Sequence, residues 1–128
     1  MLKELVERDI ILTYLLQRSK ITKAQLDTII INSHIINLKE KILLRDEKKV
    51  SKGSFLRTLS QGEANVESSF YVIILMQYLG LFDDSFDNLL KIANLLKDVK
   101  LKNVDRTEME SIILLIDSSI KKITKIIK

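Results

Sequence analysis

The longest helical pattern of this chain starts in the stretch Val50-Ser51-Lys52-Gly53-Ser54-Phe55-Leu56-Arg57-Thr58-Leu59-Ser60-Gln61. Apolar or small residues recur from there at spacings of three and four, at Phe55, Leu59, Gly62, Val66, Phe70 and Ile73. This spacing predicts a helix with one apolar side. A glycine inside a helix costs about 1 kcal/mol relative to alanine. Gly62 therefore predicts a kink or a close helix crossing, in one long helix that ends at Gly80 or in two helices bent at Gly62.

The composition outside this stretch also favours helices. The 128 residues include no proline, no cysteine and only three glycines, so residues for tight turns are scarce. The length predicts one domain. We therefore expect a single all-helical domain over residues 1–128, an all-α bundle of about five helices with no β-sheet.

The first two predicted helices precede the opening stretch. One runs from about Leu2 to Arg18, and a second is capped by Thr22 and extends to Arg45. The second carries two apolar stripes, one with Ile31, Ile35, Leu38 and Ile42 and the other with Ile29, Ile36 and Leu43. A surface helix normally has one stripe. The pattern therefore predicts burial shared with a second copy.

Two further helices are predicted after Gly80, whose freedom to adopt a left-handed conformation suits a helix stop. A fourth helix starts near Asp84 and reaches about Lys97, with a loop from Asp98 to Val104. Asp105 and Glu108 form a capping-box pattern for a fifth helix that continues to the C-terminus. Its apolar residues have nearly coiled-coil spacing: Met109, Ile112, Ile116, Ile120, Ile123 and Ile127. We expect a homodimer through the second and last helices.

Catalytic and metal-binding patterns are weak in this sequence. His34 is the only histidine, and the acidic run from Asp83 to Asn88 lacks the glycine and glutamate of an EF-hand loop. No glycine-rich phosphate loop is present. We therefore predict no enzyme activity, catalytic residue, metal, cofactor or small-molecule substrate.

Localisation is predicted from the same composition. The absence of cysteine, of a secretion signal and of a membrane-length apolar run predicts a cytoplasmic protein with no membrane partner. The basic C-terminal helix leaves membrane-surface binding as an alternative, although it lacks tryptophan and phenylalanine.

Positive charge concentrates before the opening helix. From Lys39 to Lys52 there are six basic and three acidic residues, within a chain of formal net charge +4. A solvated loop is one interpretation. The other is DNA binding: Phe55, Leu56 and Leu59 would dock inward, Arg and Gln suit base edges, and Ser, Thr and Lys suit phosphates. The predicted DNA-binding residues are Lys48, Lys49, Ser51, Lys52, Ser54, Arg57, Thr58 and Gln61.

Two segments resemble known DNA-binding families. The pattern Ser51-x-Gly53-Ser54-Phe55-x-Arg57-x-Leu59 is similar to the start of recognition helices in helix-turn-helix regulators, including the sigma-factor kind. The segment from Glu7 to Leu26 resembles the first two helices of winged-helix domains. The resemblance implies a small helical transcriptional regulator of archaeal type that binds duplex DNA. The chain departs from this pattern in the length of its second helix and in having no strand pair suited to a wing.

Two other function classes remain open. A helical protein-interaction or scaffold module would have a basic surface scattered in space, and an enzyme with a carboxylate site would have a deep acidic pocket.

Overall fold

Helices make up the described part of the chain. The computed structural model describes residues 9–34, 37–44, 50–101 and 104–125. The helices are α1 (Ile10–Arg18), α2 (Lys23–Asn32), α3 (Leu38–Leu43), α4 (Lys52–Tyr78), α5 (Asp84–Leu101) and α6 (Arg106–Thr124). No strand occurs among these residues, which confirms the predicted all-α class.

The chain divides into two compact units, Met1–Tyr71 and Val72–Lys128. Helix α4 begins in the first unit and ends in the second. A single domain is one whose parts unfold together. The predicted single domain over residues 1–128 stays a prediction.

The start of α1 corrects the predicted first helix. Asp9 has extended backbone angles, and its Oδ1 accepts hydrogen bonds from the amides of Ile11 (3.0 Å) and Leu12 (3.1 Å). This is an N-cap, in which a side-chain oxygen replaces the missing partners of the first amides. A helix continuous from Leu2 to Arg18 is therefore wrong, because a helix start lies at Asp9. Residues 1–8 lie outside the described part.

The predicted second helix is also wrong, since it is divided into α2 and α3. Helix α2 ends at Asn32, and α3 begins after Asn37, whose Oδ1 accepts from the Glu40 amide at 2.9 Å. The cap residue and the polar residues after α2 compete with helical hydrogen bonding. The two apolar stripes therefore do not lie on one continuous helix, and they no longer indicate that one helix is buried against a second copy.

Helix α4 is continuous through Gly62. The predicted cap is present, because Ser51 Oγ accepts from the Ser54 amide at 3.1 Å. Gly62 is buried against α2: a Cβ built there would lie 3.0 Å from Ile29 Cδ1 and 3.2 Å from Gln25 Cβ. The predicted close helix crossing is confirmed.

Helix α4 ends within the second unit, at the predicted stop. Gly80 has a φ of 68°, and the Leu81 amide donates to the Met76 carbonyl at 3.1 Å, which closes the helix end. Asp83 caps α5 by accepting from the Ser85 amide at 2.8 Å. Helix α5 reaches Leu101, so the loop predicted from Asp98 is wrong over Asp98–Leu101.

The last helix begins as the sequence predicts. Asp105 Oδ1 accepts from the Glu108 amide at 2.8 Å, and α6 packs against α5. Helix α6 ends at Thr124, and residues 126–128, where the predicted stripe ends, lie outside the described part.

Each unit has its own buried side chains. In the first unit they come from α1, α2 and α4, namely Ile11, Thr28, Ile31 and Phe55, with Asp27 beside them in α2. In the second unit Ile116 and Ile123 of α6 are buried. These positions set which helix faces remain exposed.

Candidate interaction surfaces

The predicted base-contacting residues lie together on an exposed side of α4. Phe55 has 0 % exposure, whereas Arg57 and Gln61 are both exposed. They are four residues apart, hence about 40° apart around the helix axis. Ser54 is half-buried, and it is about 60° from Arg57 on the same side. The first turns of α4 therefore present a guanidinium and an amide side by side.

Other predicted DNA-binding residues have different positions. Lys52 is exposed but lies about 140° around the axis from Arg57. The Thr58 hydroxyl donates to the Ser54 carbonyl at 2.9 Å, and the Ser51 hydroxyl caps the helix. Ser51 and Thr58 thus have structural roles within the helix. Lys48 and Lys49 lie outside the described residues.

One inward-facing residue was predicted wrongly. Leu59 is half-buried as expected, but Leu56 is 44 % exposed, because it lies about 100° around the axis from buried Phe55. The exposed surface of α4 therefore begins to include apolar side chains close to its N-terminus.

Acidic side chains follow on α4. Glu63 and Glu67 are exposed and balance Lys52 and Arg57 along this helix. A surface that neutralises phosphates requires an excess of cations. The described part of α4 has no such excess.

The larger exposed feature of α4 is apolar. Tyr71, Ile74, Leu75 and Tyr78 have exposed fractions of 65 %, 62 %, 51 % and 86 %. Their spacing of i, i+3, i+4 and i+7 places them on one side of the helix, and we call these four residues the α4 stripe. Phe70, Val72 and Leu79 beside them are exposed too. Met76, about 160° around the axis from Tyr78, is half-buried.

Such exposure is unusual for a helix of this composition. Among the 15 residues from Ser68 to Phe82 none is charged. A helix that is apolar all round is normally covered, and large exposed apolar patches mark interaction sites on soluble proteins. The α4 stripe is therefore the strongest candidate interaction surface among the described residues.

Carboxylates flank the α4 stripe. Glu67 lies four residues before Tyr71 on the same side of the helix, and Asp83, Asp84 and Asp87 follow the helix end. The pKa of Asp83 is lowered, first by its hydrogen bonds with the side chain and backbone of Ser85 and least by the charge of Lys122. Asp83 therefore keeps its negative charge through the neutral range.

The surfaces predicted for dimerisation are largely covered within the chain. Ile31, from the stripe predicted for the second helix, is buried, and so are Ile116 and Ile123 of α6. Ile35 and Ile127 lie outside the described residues. Ile120 of the predicted α6 stripe is 40 % exposed, and Leu114, the most exposed apolar side chain of α6 at 70 %, lies outside that stripe. The homodimer stays a prediction, but exposed surface is concentrated elsewhere.

Sequence reasoning missed the α4 stripe because the one apolar side that it predicted for this helix does not include these four residues. That predicted side consists of Phe55, Leu59, Gly62, Val66, Phe70 and Ile73. The available signal was the uncharged run from Ser68 to Phe82, which has apolar residues on every side and exceeds what a one-sided core helix needs.

Metal and membrane features are limited in the described residues. No group of three or more His, Asp or Glu side chains there is placed to hold a metal ion, and His34 is exposed just after α2. Over the same residues, every helix is too short or too polar to cross a bilayer.

Comparisons with protein-family models, with curated proteins and with solved structures gave no match to this chain.

Proposed function

We propose that this chain is a non-enzymatic helical interaction protein whose contact surface is the α4 stripe. The observation that carries the proposal is the exposure of four large apolar side chains at i, i+3, i+4 and i+7 along one helix. Helical partners use this spacing to dock an apolar face.

Exposure of the α4 stripe to water is energetically unfavourable. Burial of apolar surface contributes roughly 25 cal/mol per Å², and a large side chain contributes about 1.5–3 kcal/mol when fully covered. Tyrosine at the edge of such a face adds a hydroxyl that can stay hydrated while its ring is buried. Tyr71 and Tyr78 supply this combination at both ends of the stripe.

The test uses a synthetic helical peptide with leucines at i, i+3, i+4 and i+7 and with uncharged flanks. Its binding to the full chain is measured by fluorescence anisotropy. We expect binding that Ile74→Gln with Tyr78→Gln removes, while thermal unfolding stays within about 0.5 kcal/mol because both side chains are exposed.

Leu114→Gln is the matched control, since Leu114 is also strongly exposed but belongs to α6. It should leave peptide binding unchanged. The proposal fails if the peptide does not bind, or if the α4 and α6 substitutions have equal effects.

Duplex DNA binding is the second candidate function, as part of a transcriptional regulator. The observation that favours it is the placement of Arg57 and Gln61 side by side and exposed, on a helix anchored by fully buried Phe55. Arginine and glutamine can each make two hydrogen bonds to a base edge. The acidic residues Glu63 and Glu67 farther along α4 make this the weaker candidate.

A salt titration of duplex binding tests this candidate. Lys48→Ala with Lys49→Ala should weaken binding to all sequences alike and lower the slope of log affinity against log salt by about 0.9 for each phosphate that is no longer neutralised. Arg57→Ala should cost about 1–3 kcal/mol of discrimination between sequences. Undetectable binding at low salt, or binding indifferent to all three substitutions, excludes DNA as the partner.

A further inference from the structure

The charges around the α4 stripe restrict what can cover it. Glu63 and Glu67 lie at its N-terminal end, and Asp83, Asp84 and Asp87 follow its C-terminal end, with Glu63, Glu67 and Asp83 among the exposed residues. Between these two acidic ends the helix is uncharged. The stripe is therefore an apolar surface with exposed carboxylates at both ends. At the C-terminal end, Asp84 and Asp87 add to Asp83, on which the charge of Lys122 acts.

This arrangement disfavours pairing of the stripe with itself. In an antiparallel pair of α4 helices centred on the stripe, Glu67 of one copy would approach Asp83 and Asp84 of the other. In a parallel pair, Glu63 and Glu67 would face the same residues of the second copy. Like charges placed opposite one another oppose association and act against the wrong partner.

The C-terminal end of α4 also favours a partner with positive charge. The carbonyl end of a helix carries a partial negative charge, which attracts cations. Helix α4 ends at Tyr78, the most exposed residue of the stripe. A lysine or arginine of a partner near Tyr78 would meet both the helix end and the acidic residues that follow it.

We propose that the partner of the α4 stripe is an amphipathic helix whose apolar face carries lysine or arginine at both ends. This inference rests on the proposed function and specifies the partner of the same surface. The apolar residues supply the contact area, and the terminal charges select the partner and its alignment along α4.

Two synthetic peptides test the inference with the full chain. They share the leucine pattern at i, i+3, i+4 and i+7 and differ in having two lysines or two glutamates at each end. The lysine peptide should bind about tenfold more tightly than the glutamate peptide in low salt, and the difference should shrink as salt screens the charges.

A charge reversal on α4 provides the second measurement. Glu63→Lys with Glu67→Lys should weaken binding of the lysine peptide and strengthen binding of the glutamate peptide. Both positions are exposed, so the fold should tolerate the change, which circular dichroism checks. Ile74→Gln with Tyr78→Gln should abolish binding of both peptides.

The outcomes separate the inference from the function on which it rests. Equal binding of both peptides, removed by Ile74→Gln with Tyr78→Gln, overturns the charge selection and leaves the interaction function standing. Binding of neither peptide overturns both.

Two further results overturn the inference alone. One is a doubling of mass in light scattering that Ile74→Gln removes, which would make a second copy the occupant. The other is adsorption to uncharged lipid vesicles that depends on the stripe, which would make the occupant a membrane surface.

Discussion

Gly62 of α4 lies directly against Ile29 of α2, so closely that a Cβ at Gly62 would sit 3.0 Å from Ile29 Cδ1. One turn away, Asn65 Nδ2 donates to Gln25 Oε1 at 3.0 Å across the same crossing. The two helices are therefore held by a close apolar contact and by a polar contact beside it. This crossing fixes which side of the first turns of α4 faces the solvent.

The crossing predicts opposite effects for two glycines of one helix. Gly62→Leu should destabilise the chain by about 1–3 kcal/mol, as overpacking does. Gly53→Leu should stabilise it by up to about 1 kcal/mol, because leucine is a better helix former than glycine and a Cβ at Gly53 meets nothing within 4 Å. Chemical denaturation of both variants measures the difference.

Alanine substitutions at Gly53 and Gly62 compare the two sites with a smaller side chain. Gly53→Ala should stabilise by about 0.4–1 kcal/mol by restricting the unfolded chain. Gly62→Ala should destabilise, since its Cβ would lie 3.2 Å from Gln25 Cβ, an atom next to the α2 backbone. Stabilisation by both Gly62 substitutions would exclude a close crossing in solution.

Local signals made the helix ends largely predictable. Thr22, Ser51, Asp105 and Gly80 act as caps or stops where the sequence indicated, because capping involves residues only a few positions apart. The same logic would have found the break before α3, since Asn37 and Glu40 have capping spacing. The isoleucine stripe from Ile31 to Ile42 concealed it, because its spacing continues across the break.

Exposure was less predictable than helix position. An apolar residue such as Leu56 or Tyr78 carries the same sequence signal whether it is covered or not, and its exposure depends on distant helices. This is why the sequence indicated dimer surfaces at Ile31 and Ile116, which are buried, and missed the α4 stripe. For the proposed DNA surface, the predicted burial of Phe55 is confirmed. Helix geometry then places Arg57 and Gln61 on an exposed side.

The neighbours Phe55 and Leu56 give a matched test of which side of α4 faces inward. Phe55→Ala should cost about 3–5 kcal/mol, because a fully buried aromatic ring leaves a cavity. Leu56→Ala should cost less than about 1 kcal/mol, since its side chain is 44 % exposed. Urea unfolding monitored by circular dichroism compares them. Similar costs at both positions would contradict the burial of Phe55.

Gln25 joins the cap of α2 to the helix crossing. Its Oε1 accepts from the Thr22 amide at 3.1 Å and from Asn65 Nδ2 at 3.0 Å. In a double-mutant cycle, Gln25→Ala and Asn65→Ala should show a coupling energy of roughly 0.5–1.5 kcal/mol, the net value of one hydrogen bond. Gln25→Ala combined with Ser60→Ala is the control and should show none, because Ser60 is exposed about 140° around the axis of α4 from Asn65. A coupling near zero for the first pair would place Asn65 away from Gln25.

The Asp83 cap predicts a dependence of stability on acid. Hydrogen bonds with Ser85 lower the pKa of this carboxyl in the folded chain, so the folded state favours the ionised form. A group whose pKa is lowered on folding contributes stability above its unfolded pKa, and the contribution is lost as the pH falls below about 4. Asp83→Ala should therefore be less stable than the unsubstituted chain at pH 7, and the difference should shrink in acid. Ser85→Ala removes the first cause and should return the Asp83 pKa toward its ordinary range, which NMR titration of the carboxyl carbon measures. A stability difference that stays constant from pH 7 to pH 3 would show that Asp83 does not cap α5 through its charge.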